Sequence, residues 1–176
     1  MKYVKLYEEL KFNEKKYHTY DLVNLAIQKY LGTKEENIMI DMIKSGQIDL
    51  DLKEQLTNKT ALMLTMINRY ENVFSELIKS GANLDIKDSN DNTALILSAK
   101  GSTGSSSNFY ITMMEKLIEA GANWNITQFY GSRNNGQYKD FLDYLKDDEL
   151  KRHVLKKYNK QYEDYLLIKN SNKFNI

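Results

Sequence analysis

Asn58-Lys59-Thr60-Ala61-Leu62-Met63-Leu64, followed by Glu76-Leu77-Ile78-Lys79-Ser80-Gly81-Ala82-Asn83-Leu84-Asp85, recurs in altered form further along the chain. The second version reads Asn92-Thr93-Ala94-Leu95-Ile96-Leu97, then Glu115-Lys116-Leu117-Ile118-Glu119-Ala120-Gly121-Ala122-Asn123-Trp124-Asn125. Thr60 and Thr93 lie 33 positions apart, and self-similarity at that period marks stacked repeats rather than one closed globule. Such arrays offer extended binding faces and have no built-in catalytic pocket.

Each unit has a physical reading. Thr60 and Thr93 stand where a helix starts, because a hydroxyl can accept from the free N–H groups of the first turn. Leu62 and Leu64, like Leu95 and Leu97, fall on one face of that short helix. A second helix carries Val73, Phe74, Leu77 and Ile78 in one unit and Met113, Met114, Leu117 and Ile118 in the next, spaced as a buried stripe. Gly81 and Gly121 follow directly, where a left-handed residue ends a helix and satisfies its last carbonyls. Leu84-Asp85-Ile86-Lys87-Asp88 then alternates as an extended finger does.

Fainter copies flank these two. Asp21 to Ile27, Ile43-Lys44-Ser45-Gly46 and Leu50 to Glu54 echo the unit upstream. Asp140-Phe141-Leu142-Asp143-Tyr144-Leu145, followed by a polar-faced helix from Glu149 to Tyr158, echoes it downstream. Degraded ends are expected, since a terminal repeat shows water a face that inner repeats bury.

On these residues the chain resembles the ankyrin-repeat family. Thr60-Ala61-Leu62-Met63 stands for its Thr-Pro-Leu-His helix start, and Leu77-Ile78 for its Leu-Leu pair. Gly81-Ala82-Asn83 stands for Gly-Ala-Asp, and Leu84-Asp85 opens the finger. Proline is absent throughout, and Met63 and Ile96 replace the family's histidine. The resemblance implies an all-α solenoid of about four helix-turn-helix repeats, with short finger loops and helical caps. Expected boundaries are 1–20 for an N-terminal capping helix and first finger, and 21–158 for repeats at about 21–54, 55–87, 88–127 and 128–158. Residues 159–176 then form a C-terminal helix and frayed tail.

Composition narrows the function. Apolar residues make up 41% and charged residues 28%, as in ordinary globular domains. Net charge is +1, from 25 basic and 24 acidic residues, which argues against a nucleic-acid partner. The lack of cysteine removes disulfides, thiolate nucleophiles and Cys-ligated zinc. No apolar run approaches the about 18–20 residues of a membrane span. The first ten residues are charged throughout, unlike a signal peptide. A cytoplasmic location is expected, or a host cytosol if the protein is an effector.

Little chemistry is legible. His18 and His153 fall at opposite ends of the expected stack, so neither gives the other an orienting partner. Asp147-Asp148 and Glu35-Glu36 fit helix starts, where carboxylates complement the dipole. Gly101 to Asn108 reads as a linker, because Gly104 is followed by Ser105 and not by the Lys-Ser/Thr of a phosphate loop. No metal site, cofactor or catalytic residue is expected.

Two irregular features point outward. Thr127 to Tyr138 replaces a short finger with a long one, whose glycines and Asn134-Asn135 supply turn chemistry. Its Phe129, Tyr130, Arg133 and Tyr138 are the types that dominate binding hot spots, or else form a local aromatic cap. Trp124 occupies the place of Leu50 and Leu84 and is expected in the core. Tyr3, Leu6, Tyr7 and Leu10 share one face of an N-terminal capping helix, and Tyr162, Tyr165 and Leu166 cap the other end.

The resemblance implies a non-catalytic module that binds another protein, as a monomer and without a membrane, on a concave face of fingers and first helices. Carried over by position, the fingers contribute Tyr17, His18 and Tyr20, then Leu56, Thr57 and Lys59, then Ser89, Asn90 and Asn92. The long finger adds Phe129, Tyr130, Arg133 and Tyr138. Gln28, Asn68 and Arg69 line the floor. The alternative is a viral or bacterial effector that masks a host or rival protein with the same surface, and a small enzyme is the third reading.

Overall fold

A computed structural model describes residues 19–103, 105, 107–130 and 137–173. Among them are nine helices and one two-stranded sheet, and the contacts divide the chain into units of residues 1–89 and 90–176. The expected N-terminal capping helix lies outside the described residues. No described helix is long and apolar enough to cross a membrane.

The first unit contains α1 (Thr19–Ile27), α2 (Thr33–Lys44), α3 (Ala61–Ile67) and α4 (Glu71–Lys79). α1 packs on α3, α2 on α4, and each helix on its hairpin partner. Thr60 caps α3 as expected, its hydroxyl accepting from Met63 N at 3.4 Å. Gly81 has φ +85. Its N–H reaches Ile78 O at 3.1 Å while Ala82 N reaches Leu77 O at 3.0 Å, the bond pair that closes a helix on a left-handed glycine. Glu35 bonds back to Gly32 N at 3.0 Å, and Glu36 shares the first turn of α2.

Two expectations change here. α3 is not one-faced, since Ala61 to Met66 are all buried. The stretch after Gly81 is not extended from its start, since Leu84 and Asp85 form a turn. Its cause is Asn83, whose side chain accepts from Asp85 N at 3.0 Å and bends the backbone into an Asx-turn. Asp49 does the same to Asp51 N at 2.9 Å. Asp51 in turn accepts from Asn83 N at 2.8 Å, tying one finger base to the next.

The second unit opens with α5 (Ala94–Gly101) and α6 (Ser107–Glu119), which pack as a hairpin. Thr93 caps α5 through Ile96 N at 3.3 Å, and Gly121, at φ +89, repeats the closure of Gly81. β1 (Gln128–Tyr130) and β2 (Gln137–Lys139) pair antiparallel, with Phe129 opposite Tyr138. α7 (Phe141–Tyr144), α8 (Asp148–Lys157) and α9 (Asn159–Lys173) complete the unit. Asp147 caps α8, accepting from Glu149 N at 2.8 Å and Leu150 N at 3.0 Å. Lys157 ties α8 to α6 through Glu115 at 2.8 Å.

Trp124 is buried as expected, edge-on to Phe141 at 4.8 Å and beside Tyr162 and Tyr165 of α9. Part of the stretch expected as a C-terminal helix and frayed tail is helical as far as Lys173. α9 runs that far because Lys169 donates to the buried Asp140 carboxylate at 3.0 Å and to the Tyr165 hydroxyl.

The glycine-serine stretch is also shorter as a linker than its composition suggests. Gly101 ends α5, Ser102 is its buried cap, and Ser107 already begins α6. A Cβ on Gly101 would lie 2.5 Å from Cγ and Cδ1 of Tyr110. Gly101→Ala is therefore expected to cost about 1–3 kcal/mol by overpacking, despite alanine's better helix propensity. Thermal unfolding checks this, and adding Tyr110→Ala should remove the clash if ring contact is its cause.

Candidate functional site

The first finger builds outward from its own polar groups. Glu54 N donates to Lys59 O at 2.8 Å, and Asn58 N returns to Glu54 O at 3.0 Å. Asn58 sits at φ +55, a conformation that asparagine tolerates. The Glu54 carboxylate fills the loop, accepting from Leu56 N at 2.6 Å, Thr57 N at 2.7 Å and Thr57 Oγ1 at 2.5 Å. Those bonds hold its pKa below the usual carboxylate range: the Thr57 hydroxyl contributes most, burial opposes it, and the two N–H groups and Lys59 assist. Outside the loop, Ser89 N donates to Thr57 O at 2.8 Å. Lys59 pairs with the buried Asp88 carboxylate at 3.4 Å.

This framework leaves Leu56 89% exposed. It stands over a groove of about 410 Å³ between the finger and α1, with Val23, Asn24 and Ile27 on the helix side. Ile27 is itself 42% exposed. Lys53 and Gln55 complete the finger side, with Lys53 Nζ donating to Lys87 O at 3.0 Å.

The other expected binding positions fare unevenly. Tyr17, His18 and Arg133 lie outside the described residues. Tyr20 falls within α1 and not on a finger, because the helix already begins at Thr19. Ser89 and Asn90 are exposed. Asn92 does not project: it is 4% exposed, and its Oδ1 accepts from Lys100 Nζ at 2.5 Å. Lys59 likewise turns inward to neutralise Asp88.

Gln28, Asn68 and Arg69 do not line a helical floor. α1 ends at Ile27 and α3 at Ile67, so all three belong to turns after those helices. Asn68 Nδ2 donates to Ala26 O at 2.7 Å and Ile27 O at 3.2 Å, satisfying the orphan carbonyls of α1. The hydroxyl of Tyr70 donates to Gln28 O and accepts from Leu31 N at 3.2 Å. Arg69 is exposed at φ +66.

In the second unit the long finger is a β-hairpin rooted by Gln128. The Gln128 amide donates to Asn90 O at 2.6 Å, while its Oε1 accepts from Lys100 Nζ and Tyr144 OH, both at 2.6 Å. Phe129 and Tyr130 have their backbone in β1. Tyr138 is 71% exposed. His153 is an exposed residue of α8, with Nε2 3.5 Å from Glu115 Oε1.

Leu56 and Thr57 are among the positions expected on the fingers, whereas Ile27, Asn24 and Glu54 are not. The spacing of Glu54 and Thr57 resembles a side-chain staple across a turn, which was the available signal. Ile27 continues the apolar pattern of α1, and its exposure depends on what the fold leaves uncovered.

The family model described as ankyrin repeats (3 copies) matches residues 18–128. No curated protein matches the chain.

Proposed function

The chain belongs to the ankyrin-repeat family, whose members are generally protein-interaction modules and typically not catalysts, and on that footing we propose that it binds a protein partner at the groove between α1 and the first finger. Leu56 carries this reading. A leucine 89% exposed over a groove that also presents Ile27 leaves apolar surface in water, and covering one such side chain is worth about 1.5–3 kcal/mol. The finger that holds it is braced by the Glu54 carboxylate and by the backbone bonds between Glu54, Asn58 and Lys59, so a partner meets an ordered surface and less entropy is lost on docking.

The partner contributes an apolar side chain that enters between Ile27 and Leu56, with the amides of Asn24 and Gln55 at the rim. The protein acts without a cofactor, as a monomer in the cytoplasm. Tyr138, on the hairpin of the second unit, and the exposed Ser89 and Asn90 are secondary contact positions.

Affinity capture from the native cell, using the full chain beside Leu56→Asp and Ile27→Asp, tests the assignment. An anchor residue worth about 2 kcal/mol predicts roughly a thirtyfold loss of affinity for the captured protein, with the circular dichroism melting curve unchanged. Undiminished capture by both folded variants would move the site away from this groove. Loss on Tyr138→Ala instead would place it on the hairpin.

A further inference from the structure

We propose that Glu54 is a positioning residue: its carboxylate locks residues 54–59 in the one conformation that displays Leu56 to a partner. The inference rests on the groove being the binding site. Three donors converge on one side chain, from Leu56 N at 2.6 Å, Thr57 N at 2.7 Å and Thr57 Oγ1 at 2.5 Å. All three come from the two residues that carry or adjoin the exposed leucine. A carboxylate is the group such convergence requires, since it is acceptor-only and its charge strengthens each bond.

The exposed leucine has no apolar counterpart in the next finger. From the shared position of Leu50 and Leu84, Glu54 falls in register with Asp88, and Ser89 and Asn90 follow it where Leu56 stands in the first finger. The next finger keeps a carboxylate, Asp88, and lacks the leucine. The finger base is anchored without the Glu54 side chain, through Lys59–Asp88 at 3.4 Å and the Lys53–Thr60 bridge. What the side chain adds is order at the tip. An exposed aliphatic side chain on an ordered loop binds with less entropy loss than one on a wandering loop.

The test reads the tip directly by amide hydrogen exchange and backbone relaxation on the full chain, comparing wild type with Glu54→Ala, Glu54→Gln and Thr57→Val. In Glu54→Ala the Leu56 and Thr57 amides are expected to exchange about tenfold faster or more, with lowered order parameters at Leu56. Amides of α3 and α4 and the melting temperature should stay as in wild type. Glu54→Gln, which keeps an acceptor oxygen, should restore part of the protection. Thr57→Val removes only the hydroxyl donor and should loosen Leu56 by a smaller factor, and it keeps the question answerable if the alanine variant folds poorly.

Leu56 and Thr57 amides as protected in Glu54→Ala and Thr57→Val as in wild type would overturn the proposal. So would a tip already disordered in the wild type. Affinity capture separates this from the binding assignment. Capture weakened by both Leu56→Asp and Glu54→Ala supports the role. Capture lost in Leu56→Asp but intact in Glu54→Ala overturns it and leaves the groove standing. Capture intact in Leu56→Asp and Ile27→Asp, with the tip still loosened by Glu54→Ala, means that the groove assignment has failed and takes the display role with it.

Discussion

Trp124→Ala is expected to destabilise the second unit by about 3–5 kcal/mol, the usual cost of deleting a large buried aromatic. Trp124 is 4% exposed and meets Phe141 at 4.8 Å, Tyr165 at 6.3 Å and Tyr162 at 6.4 Å. Removing it empties the space where the loop after α6, the start of α7 and α9 converge. Trp124→Phe should behave quite differently. The indole Nε1 is buried without a hydrogen-bond partner, so phenylalanine discards an unsatisfied donor along with some volume. These effects oppose each other, and the net loss should stay within about 1.5 kcal/mol. Urea unfolding followed by far-ultraviolet circular dichroism measures both variants. The single tryptophan makes fluorescence a local probe of this unit in the wild type. A phenylalanine variant as unstable as the alanine one would show that the indole's full shape is needed.

Asp140→Ala should cost about 3 kcal/mol, from the loss of a helix cap together with charge-assisted bonds. One carboxylate oxygen caps α7 through Leu142 N at 3.0 Å and Asp143 N at 3.3 Å. The other accepts from Tyr165 OH at 2.5 Å and Lys169 Nζ at 3.0 Å. Lys169→Ala should cost far less, because its side chain is 47% exposed and Asp140 keeps its other donors. The same cluster sets an alkaline limit. Burial first, and then the bond to Asp140, push the Tyr165 phenol up to about 12. A folded value above the ordinary one means that this contribution is whole below about pH 10 and is lost as pH rises towards 12. Denaturant midpoints should therefore fall over that interval, and fall less in Tyr165→Phe. An equal fall in both would assign the alkaline loss to other groups.

The sequence by itself determined the repeat, because its signals are local. A threonine before an apolar run caps a helix whatever lies around it, and Gly81 and Gly121 take a left-handed conformation that other residues pay for in strain. The stripes of α4 and α6 needed only helical spacing, and Trp124 needed only its place in the period. The tertiary structure decided which polar residues face water. Asn92 and Lys59 occupy finger positions, yet Lys100 and the buried Asp88 draw them inward. Lys169 reads as tail until Asp140, 29 positions earlier, gives it a partner. Asn68 reads as helix floor until the carbonyls of α1, more than 40 positions away, claim its amide. Gly101 reads as linker until the Tyr110 ring closes on it. Each of these outcomes turns on burial and on bonds between distant positions, and no local window contains them. Leu56 was open to inference as a finger residue, but its ordered exposure depends on how Glu54 folds back beneath it.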